Sequence, residues 1–481
     1  MSNNATNSAA AEGQRTNKFR HVFGDPAKPD KQFIDLKNPL TSGEARYVSA
    51  NNKFLAVSKS SGGGPVYILN INSPGRLPAN LPVLDVQKGK AWDHDFHPFI
   101  PNMIATASDD CSVAVTQFPI GGLEETITKA DVLLQGHGKK VVLCQFNPSA
   151  NSILASASQD RTVKVWNIET QDNVMTFSEP KDNIYSLEWN YDGSQLAVTG
   201  KDKMLRIFDP RIPDEAASVE SFQGTKSSKV FWIPNLGWIG AVGFSKNAKR
   251  RMRFWDLKDL SKPIYSSDID QVSSTLMPYY DNDTGLLFMS GKGDGAISYS
   301  EIVNDAKKWY PLGAYRTPEP QKGGGWMAKR ACDVWKCETN RFFKLTKNSI
   351  IPISFIVPRK SGADVFQEDI YPDTFAGKPA LTADEWLSGA NKDPVLTSMD
   401  PEQKDDSDDN QQVSFEKKLT YQDLAAENEQ LRARVKELEA KLGITSDDAD
   451  ANNNNDDNAA DADAAADADA AADGGGDGDE Q

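Results

Sequence analysis

Three stretches of this chain restate one another, and their spacing limits what the chain can fold into. LASASQDRTVKVWNI (154–168) returns 42 residues later as LAVTGKDKMLRIFDP (196–210), and IATASDDCSVAVTQF (104–118) precedes it by 50. Each reads as two strands around a tight turn. An Asp stands six residues before the position of Trp166 in each copy and again in GKGDGAISYSE (291–301), giving Asp110, Asp160, Asp202 and Asp294. An aromatic residue marks an upstream strand in DFHP (95–98), QFNP (145–148) and EWNY (188–191). RMRFWDL (251–257) adds a Trp-Asp pair without the earlier Asp.

A period of 40 to 50 residues with Gly-His and Trp-Asp marks is that of WD-repeat propeller blades of four strands each. The predicted fold is all-β: a seven-bladed WD-repeat β-propeller over residues 18–358, after a disordered leader at 1–17. In KFRHVFG (18–24), Phe19, His21 and Phe23 alternate with Arg20 and Val22. One short strand at a terminus cannot bury its own apolar face, so FRHVF is expected to close the ring by joining the last blade, which removes a free edge.

The repeat also reassigns the residues that could be written as a hydrolase triad. His137, Ser156 or Ser158, and Asp160 stand where a blade needs an internal brace, completed by Trp166. Buried polar groups need partners, and these can find one another; no nucleophile elbow accompanies them. HDFH (94–97) lies on a strand whose two histidines would face opposite sides, and GKGDG lacks the ending of a phosphate loop. No metal site, cofactor or enzyme is expected.

Charge is unevenly placed. Residues 401–481 hold 24 acidic and 7 basic side chains, which leaves 45 and 46 in residues 1–400, a near-neutral body. Generic nucleic-acid binding calls for a basic domain and is therefore not expected, whereas local basic patches on a neutral body suit an acidic partner. Cys111, Cys144, Cys332 and Cys337 read as reduced thiols. The leader has no apolar core of a signal peptide, and no apolar run is long enough for a membrane span.

Beyond the ring, residues 359–399 lack a clean helix or strand period but carry Phe366, Tyr371, Phe375 and Trp386. Such a segment is expected to pack on one face of the propeller. An acidic linker (400–416) follows. Residues 417–443 then show a heptad seam: Leu424, Leu431 and Leu438 in one row, Tyr421, Asn428, Val435 and Leu442 in the other. That pattern predicts a short coiled coil. Asn428 favours a parallel dimer, because a buried Asn pairs best with its own copy. The end, 444–481, is mostly Asp, Ala, Asn and Gly with no basic and no aromatic residue, read as a disordered polyanion.

These marks in order resemble the coronins. KFRHVFG, SGGG (61–64), FNPSA (146–150), WNYDGSQ (189–195), GFSK (243–246), LMPYYD (276–281), VPRKS (357–361), QEDIYPDTFAG (367–377) and EWLSG (385–389) carry the resemblance, over about 18–391. It implies a non-enzymatic protein of the cytoplasm, at the actin cytoskeleton and cell cortex, that binds filamentous actin through the propeller and oligomerises through the coil. It also implies interplay with the actin-related branching complex and with cofilin-type severing proteins. In coronins a basic residue at the end of the first segment contributes to filament binding, and the matching position is Lys37. Where many relatives have Arg, Lys keeps the charge without the bidentate fork. Arg20 lies in the same region, and SKNAKRRMR (245–253) supplies Lys246, Lys249, Arg250 and Arg251 as a second contact, in what reads as an inter-strand loop.

Two departures from the family pattern matter. Arg434, Val435 and Leu438 fit a trimer signature whose last place is here Ala440, with Glu439 one step early, so dimer and trimer both stay open. The last tryptophan is Trp386, so the acidic tail is not assigned the binding of the branching complex.

Overall fold

Seven sheets follow one another around a central channel in the computed structural model, which describes residues 17–403 apart from 44, 62, 213–215 and 361–363, together with Phe415 and the helix Tyr421–Leu442. Two units separate, Met1–Lys417 and Lys418–Gln481. In the first, blade 1 runs from Val48–Ala50 to Val83–Leu84, blade 2 from Ala91–Phe96 to Val132–Gln135, and blade 3 from Val141–Phe146 to Asp172–Phe177. Blade 4 runs from Ile184–Trp189 to Ala217–Glu220, blade 5 from Lys229–Ile233 to Tyr265–Asp270, and blade 6 from Leu276–Asp281 to Trp309–Arg316. The second strands of blades 2 and 3, Met103–Ser108 and Ile153–Ser158, are buried at every residue. Packed between neighbouring blades on both faces, each begins with two large apolar residues and ends in a run of Ala, Ser and Thr or of Ala and Ser, small residues that let sheets approach closely.

The N-terminus closes the ring, though not with the segment expected. Residues 18–21 form a turn, in which the Val22 N–H bonds to the Phe19 carbonyl at 3.0 Å; Phe19 and Val22 are buried and His21 is exposed. The strand starts at Phe23, and Phe23–Pro26 pairs antiparallel with Ser349–Ile356 of blade 7. Phe33–Ile34 continues on that strand, with Phe33 opposite Ile350. Blade 7 thus joins Gly323–Trp326, Glu338–Leu345 and Ser349–Ile356 to two pieces from the other end of the chain.

The repeated Asp has one task in blades 2 to 4. One oxygen of Asp110, Asp160 and Asp202 accepts the N–H two residues on, at 3.1, 2.9 and 3.2 Å. The other accepts an N–H of the loop entering the blade, from Lys88, Gly138 and Lys181, at 2.9, 2.8 and 3.0 Å. The residue after each Asp (Cys111, Arg161, Lys203) is left-handed, as a tight turn of this kind requires. Each blade is thereby tied to the loop before it. In blade 3, His137 Nδ1 lies 3.0 Å from Asp160 Oδ2, His137 Nε2 lies 2.8 Å from Ser156 Oγ, and Trp166 Nε1 donates to Ser156 Oγ at 2.8 Å. Burial pushes the Asp160 carboxyl up, but these donors outweigh it and hold it at about 2.

The segment after blade 7 crosses the face opposite those turns. Tyr371 donates to the Glu338 carbonyl of blade 7 at 3.0 Å, Thr374 to Asp283 beside blade 6 at 2.7 Å, and Phe375 packs near Phe99 of blade 2 at 6.0 Å. Leu381 bridges to Ala150 of blade 3. A short helix, Ala383–Leu387, opens with a capping box between Thr382 and Glu385 and buries Trp386. Trp386 donates to the Gly193 carbonyl at 2.8 Å, stands edge-on to Trp189, and lies under the Arg211 guanidinium.

In the second unit Tyr421–Leu442 is one α-helix. The side chains of Tyr421, Leu424 and Leu442 lie outside the described residues, as do the structures of 1–16 and 443–481. Leu431, Val435 and Leu438 are 54 %, 51 % and 49 % exposed, and Asn428 is exposed beside them.

Candidate functional site

Lys37 stands at the seam where the ring closes. The two residues flanking its neighbourhood, Asp35 (φ 65) and Asn38 (φ 47), are left-handed, and Leu36 and Leu40 are buried, so the segment is pinned while Lys37 faces water. The Leu36 N–H bonds to the Asn348 carbonyl of blade 7 at 2.8 Å; the Asn38 carbonyl accepts from Ser60 of blade 1 at 2.7 Å. Tyr67 donates to the Lys37 carbonyl at 3.0 Å. These ties set Lys37 between Lys347, exposed in the blade 7 turn, and Lys59, whose ammonium lies 5.2 Å from the Tyr67 ring centroid. Among the described residues no carboxylate ion-pairs with any of the three. Lys59 and Lys347 were missed in the sequence, although both occupy the turn of the blade that holds Arg161 and Lys203 elsewhere in the ring.

The structure does not bring Arg20 to this patch. Arg20 is exposed in the turn before Phe23, next to the end of the blade 7 strand at Ile356, whereas Lys37 follows the other end at Ser349. The eight residues between span roughly 25 Å.

The basic stretch 245–253 divides in two. Only residues 245–249 form the turn, and Arg250–Asp256 is a strand of blade 5. Lys246 and Lys249 are exposed on the same face as Lys37, with Lys249 3.8 Å from Asp268. Arg250 is buried between Asp270 and Asp294, its Nε 2.6 Å from the first and its Nη1 2.6 Å from the second. Burial pulls its pKa down, but the two carboxylates raise it above the usual arginine value. Arg251 pairs with Asp268 at 2.6 Å. The expectation of one continuous basic loop is therefore corrected: Arg250 ties blade 5 to blade 6 and presents nothing to a partner.

His94 and His97 are both buried, and burial holds them neutral, with pKa values lowered to about 4 and about 3. All four cysteines are free. No helix of the described residues is long and apolar enough to cross a membrane, and no group of three or more metal-ligating side chains occurs among them.

Comparison with known proteins matches this organisation. Residues 129–167 and 171–209 match the WD domain, G-beta repeat, residues 350–394 match a type of WD40 repeat, and residues 12–76 match a domain of unknown function (DUF1899). Human Coronin-2A is 38 % identical over 395 residues, 80 % of this chain and 75 % of that protein. The chain belongs to the coronin family. Coronin-A of Dictyostelium discoideum is 35 % identical over 386 residues, 80 % of this chain and 86 % of the relative. The crystal structure of the WD40 domain from Toxoplasma gondii coronin superposes with a TM-score of 0.76 at 34 % identity, covering 80 % of this chain and 98 % of that one. These relatives are matched over about four-fifths of the chain.

Proposed function

We propose that this coronin binds actin filaments, without enzymatic activity, through the basic seam of its ring, and that the helix 421–442 joins two or three copies so that weak contacts add. The observation that carries the reading is the placement of Lys37: on a body of near-zero net charge, three cations that have no carboxylate partner among the described residues gather where the first segment closes the ring. Filaments of acidic protein are held by such a patch electrostatically. Lys246 and Lys249, on the same face, offer a second contact. The exposed row Leu431, Val435 and Leu438 offers the helix a second copy, and joining rings raises avidity without any new contact type. The same reading places the protein in the cytoplasm at the actin cortex, decorating, cross-linking or bundling filaments, with the branching complex and cofilin-type proteins as further partners.

Co-sedimentation with actin filaments tests this. The full chain should pellet more tightly than residues 1–412, and Lys37→Glu should weaken both. If Lys37→Glu pellets as the unaltered chain does, the seam is not the contact. Failure of every form to pellet at low salt, where charge contacts are strongest, would replace this reading with that of a propeller scaffold for other partners.

A further inference from the structure

The inner strands of the seven blades enclose an axial cavity of about 470 Å³. Phe375 and Pro394 of the crossing segment line it at the end where that segment passes, so the channel is walled there by the protein's own extension. Its polar lining is built from side chains that each reach to a neighbouring blade. Asp93 Oδ2 accepts from the Cys144 N–H at 3.2 Å and from Arg46 at 3.5 Å. Asp95 Oδ2 accepts from the Phe146 N–H at 2.9 Å, and Glu188 Oε2 from Gln145 Nε2 at 2.9 Å. Lys229 donates to the Tyr185 carbonyl at 2.5 Å.

That arrangement leaves acceptor capacity inside the cavity. Asp95 Oδ1 and Glu188 Oε1 have no hydrogen-bond donor among the described residues. Three carboxylates face two cations, and aromatic rings of Trp189, Tyr279 and Trp326 share the lining. A recessed carboxylate with a free oxygen beside aromatic faces calls for a positive group that can both donate and stack.

We propose that the axial cavity binds a guanidinium or ammonium group on a slender chain, with Asp95 and Glu188 as charged acceptors and the rings of Trp189, Tyr279 and Trp326 as walls. The volume lies within the range of small-ligand sites. Two sources present this chemistry, a free small amine and an arginine or lysine side chain of a polypeptide, and both enter by the same geometry.

The acceptors' own titration supplies a signature. Burial pushes Asp95 up to about 7 and Glu188 upward, against Arg46 and, for Glu188, Lys229. The other groups facing them are Asp93, which raises both, the Cys144 thiol, kept protonated by burial, and His94, kept neutral. An arriving cation favours the ionised carboxylates, so binding releases protons near neutrality and weakens as pH falls below about 7.

The test uses the full chain and the fluorescence of its channel tryptophans, titrated with N-acetyl-arginine methylamide, with the same arginine inside a Gly/Ser heptapeptide, and with the neutral citrulline counterpart of each. Saturable binding of the arginine probes, at least about tenfold stronger than of citrulline, is expected. Glu188→Gln and Asp95→Asn, nearly isosteric, should each lose about tenfold, and Asp95→Asn should flatten the pH dependence near neutrality. A tighter heptapeptide identifies a polypeptide side chain as the source; a tighter capped amino acid identifies a small amine. Equal binding of citrulline by the unaltered chain, which needs no variant to fold, overturns the proposal. So does the absence of saturation by any probe, or unchanged affinity in variants that melt like the parent.

Discussion

His97 of blade 2 and Asn147 of blade 3 occupy the same place and do the same work. Each ends an inner strand just before a proline and accepts two backbone N–H groups from the turn that follows. His97 Nδ1 takes those of Phe99 and Ile100 at 3.2 and 3.1 Å, and Asn147 Oδ1 those of Ser149 and Ala150 at 2.9 and 2.8 Å. The difference is that His97 can titrate.

His97→Asn should therefore keep the turn and alter its pH dependence. The folded state holds His97 neutral down to about 3, while the unfolded chain protonates near 6.5. Its folded pKa is depressed, so the unfolded state binds more protons in that window. Stability attached to this residue is present above about 6.5 and is lost as pH falls toward 3, by about 2 kcal/mol at about pH 5. Urea midpoints of parent and variant at about pH 7.5 and pH 5 check this. The gap between them should shift in the variant's favour on acidification, whereas a constant gap would show that His97 titrates in the fold as it does in the unfolded chain. The comparison must be a difference, because Asp95 and Asp283, raised to about 7 and about 6, act with the opposite sign in both proteins.

Gly193 and Trp386 lock the crossing segment to the ring. The Gly193 carbonyl accepts from Asn147 Nδ2 at 2.8 Å as well as from Trp386 Nε1 at 2.8 Å. Gly193 is left-handed (φ 68), and a side chain there would run into the Asn147 amide. Trp386→Ala should cost ~3–5 kcal/mol of local stability, and Gly193→Ala should loosen the same segment through Asn147. Limited proteolysis within 376–399 should accelerate in both. Unchanged cleavage in Trp386→Ala would mean that Arg211, which also donates to the Trp386 and Ala390 carbonyls, holds the segment alone.

The ring was legible because its repeat is local: a turn Asp must cap the next N–H but one, and that leaves a fixed spacing in the sequence. The brace of His137, Ser156 and Trp166 followed from the need of buried polar groups for partners, whereas the clamp of each turn Asp on the preceding loop appears only in the structure. Other features could not be read locally. KFRHVF alternates as a strand does, yet the Asn17 side chain reaches Glu301 of blade 6 at 2.6 Å and accepts from the Phe19 N–H at 2.7 Å. Those ties turn the chain before Phe23. In 245–253 the boundary between turn and strand falls between two basic residues, and only the carboxylates Asp270 and Asp294, from elsewhere in the chain, draw Arg250 inward. Lys347 joins Lys37 and Lys59 through ring closure, a relation between chain positions about 300 residues apart.

Arg250 and its neighbours should separate in mutagenesis. Arg250→Met strips two carboxylates of their shared cation, Asp294 largely buried and Asp270 about a third exposed, and should cost ~3 kcal/mol. Lys246→Ala and Lys249→Ala, on the exposed turn, should stay within about 0.5 kcal/mol. Thermal melts of the three variants decide it. A mild effect of Arg250→Met would mean that Asp270 and Asp294 regain water when the guanidinium leaves.

The helix offers the last prediction. Leu431, Val435 and Leu438 lie about half exposed along one side of Tyr421–Leu442, flanked by charge, including the Glu437–Lys441 pair at 2.6 Å. Such a stripe gains most by meeting its own copy, since a row repeating at 3.5 residues fits a facing helix knob into hole. Sedimentation equilibrium of the full chain should give two or three copies, and Leu431→Ser with Leu438→Ser should give one. Asn428 sharpens the outcome: if it sits in the seam of a parallel dimer, Asn428→Leu should tighten association and blur the copy number, because the polar pair that fixes the register is gone. If the double serine variant associates as the parent does, the copies are held by some other surface. Unchanged association in Asn428→Leu would instead place that asparagine outside the seam.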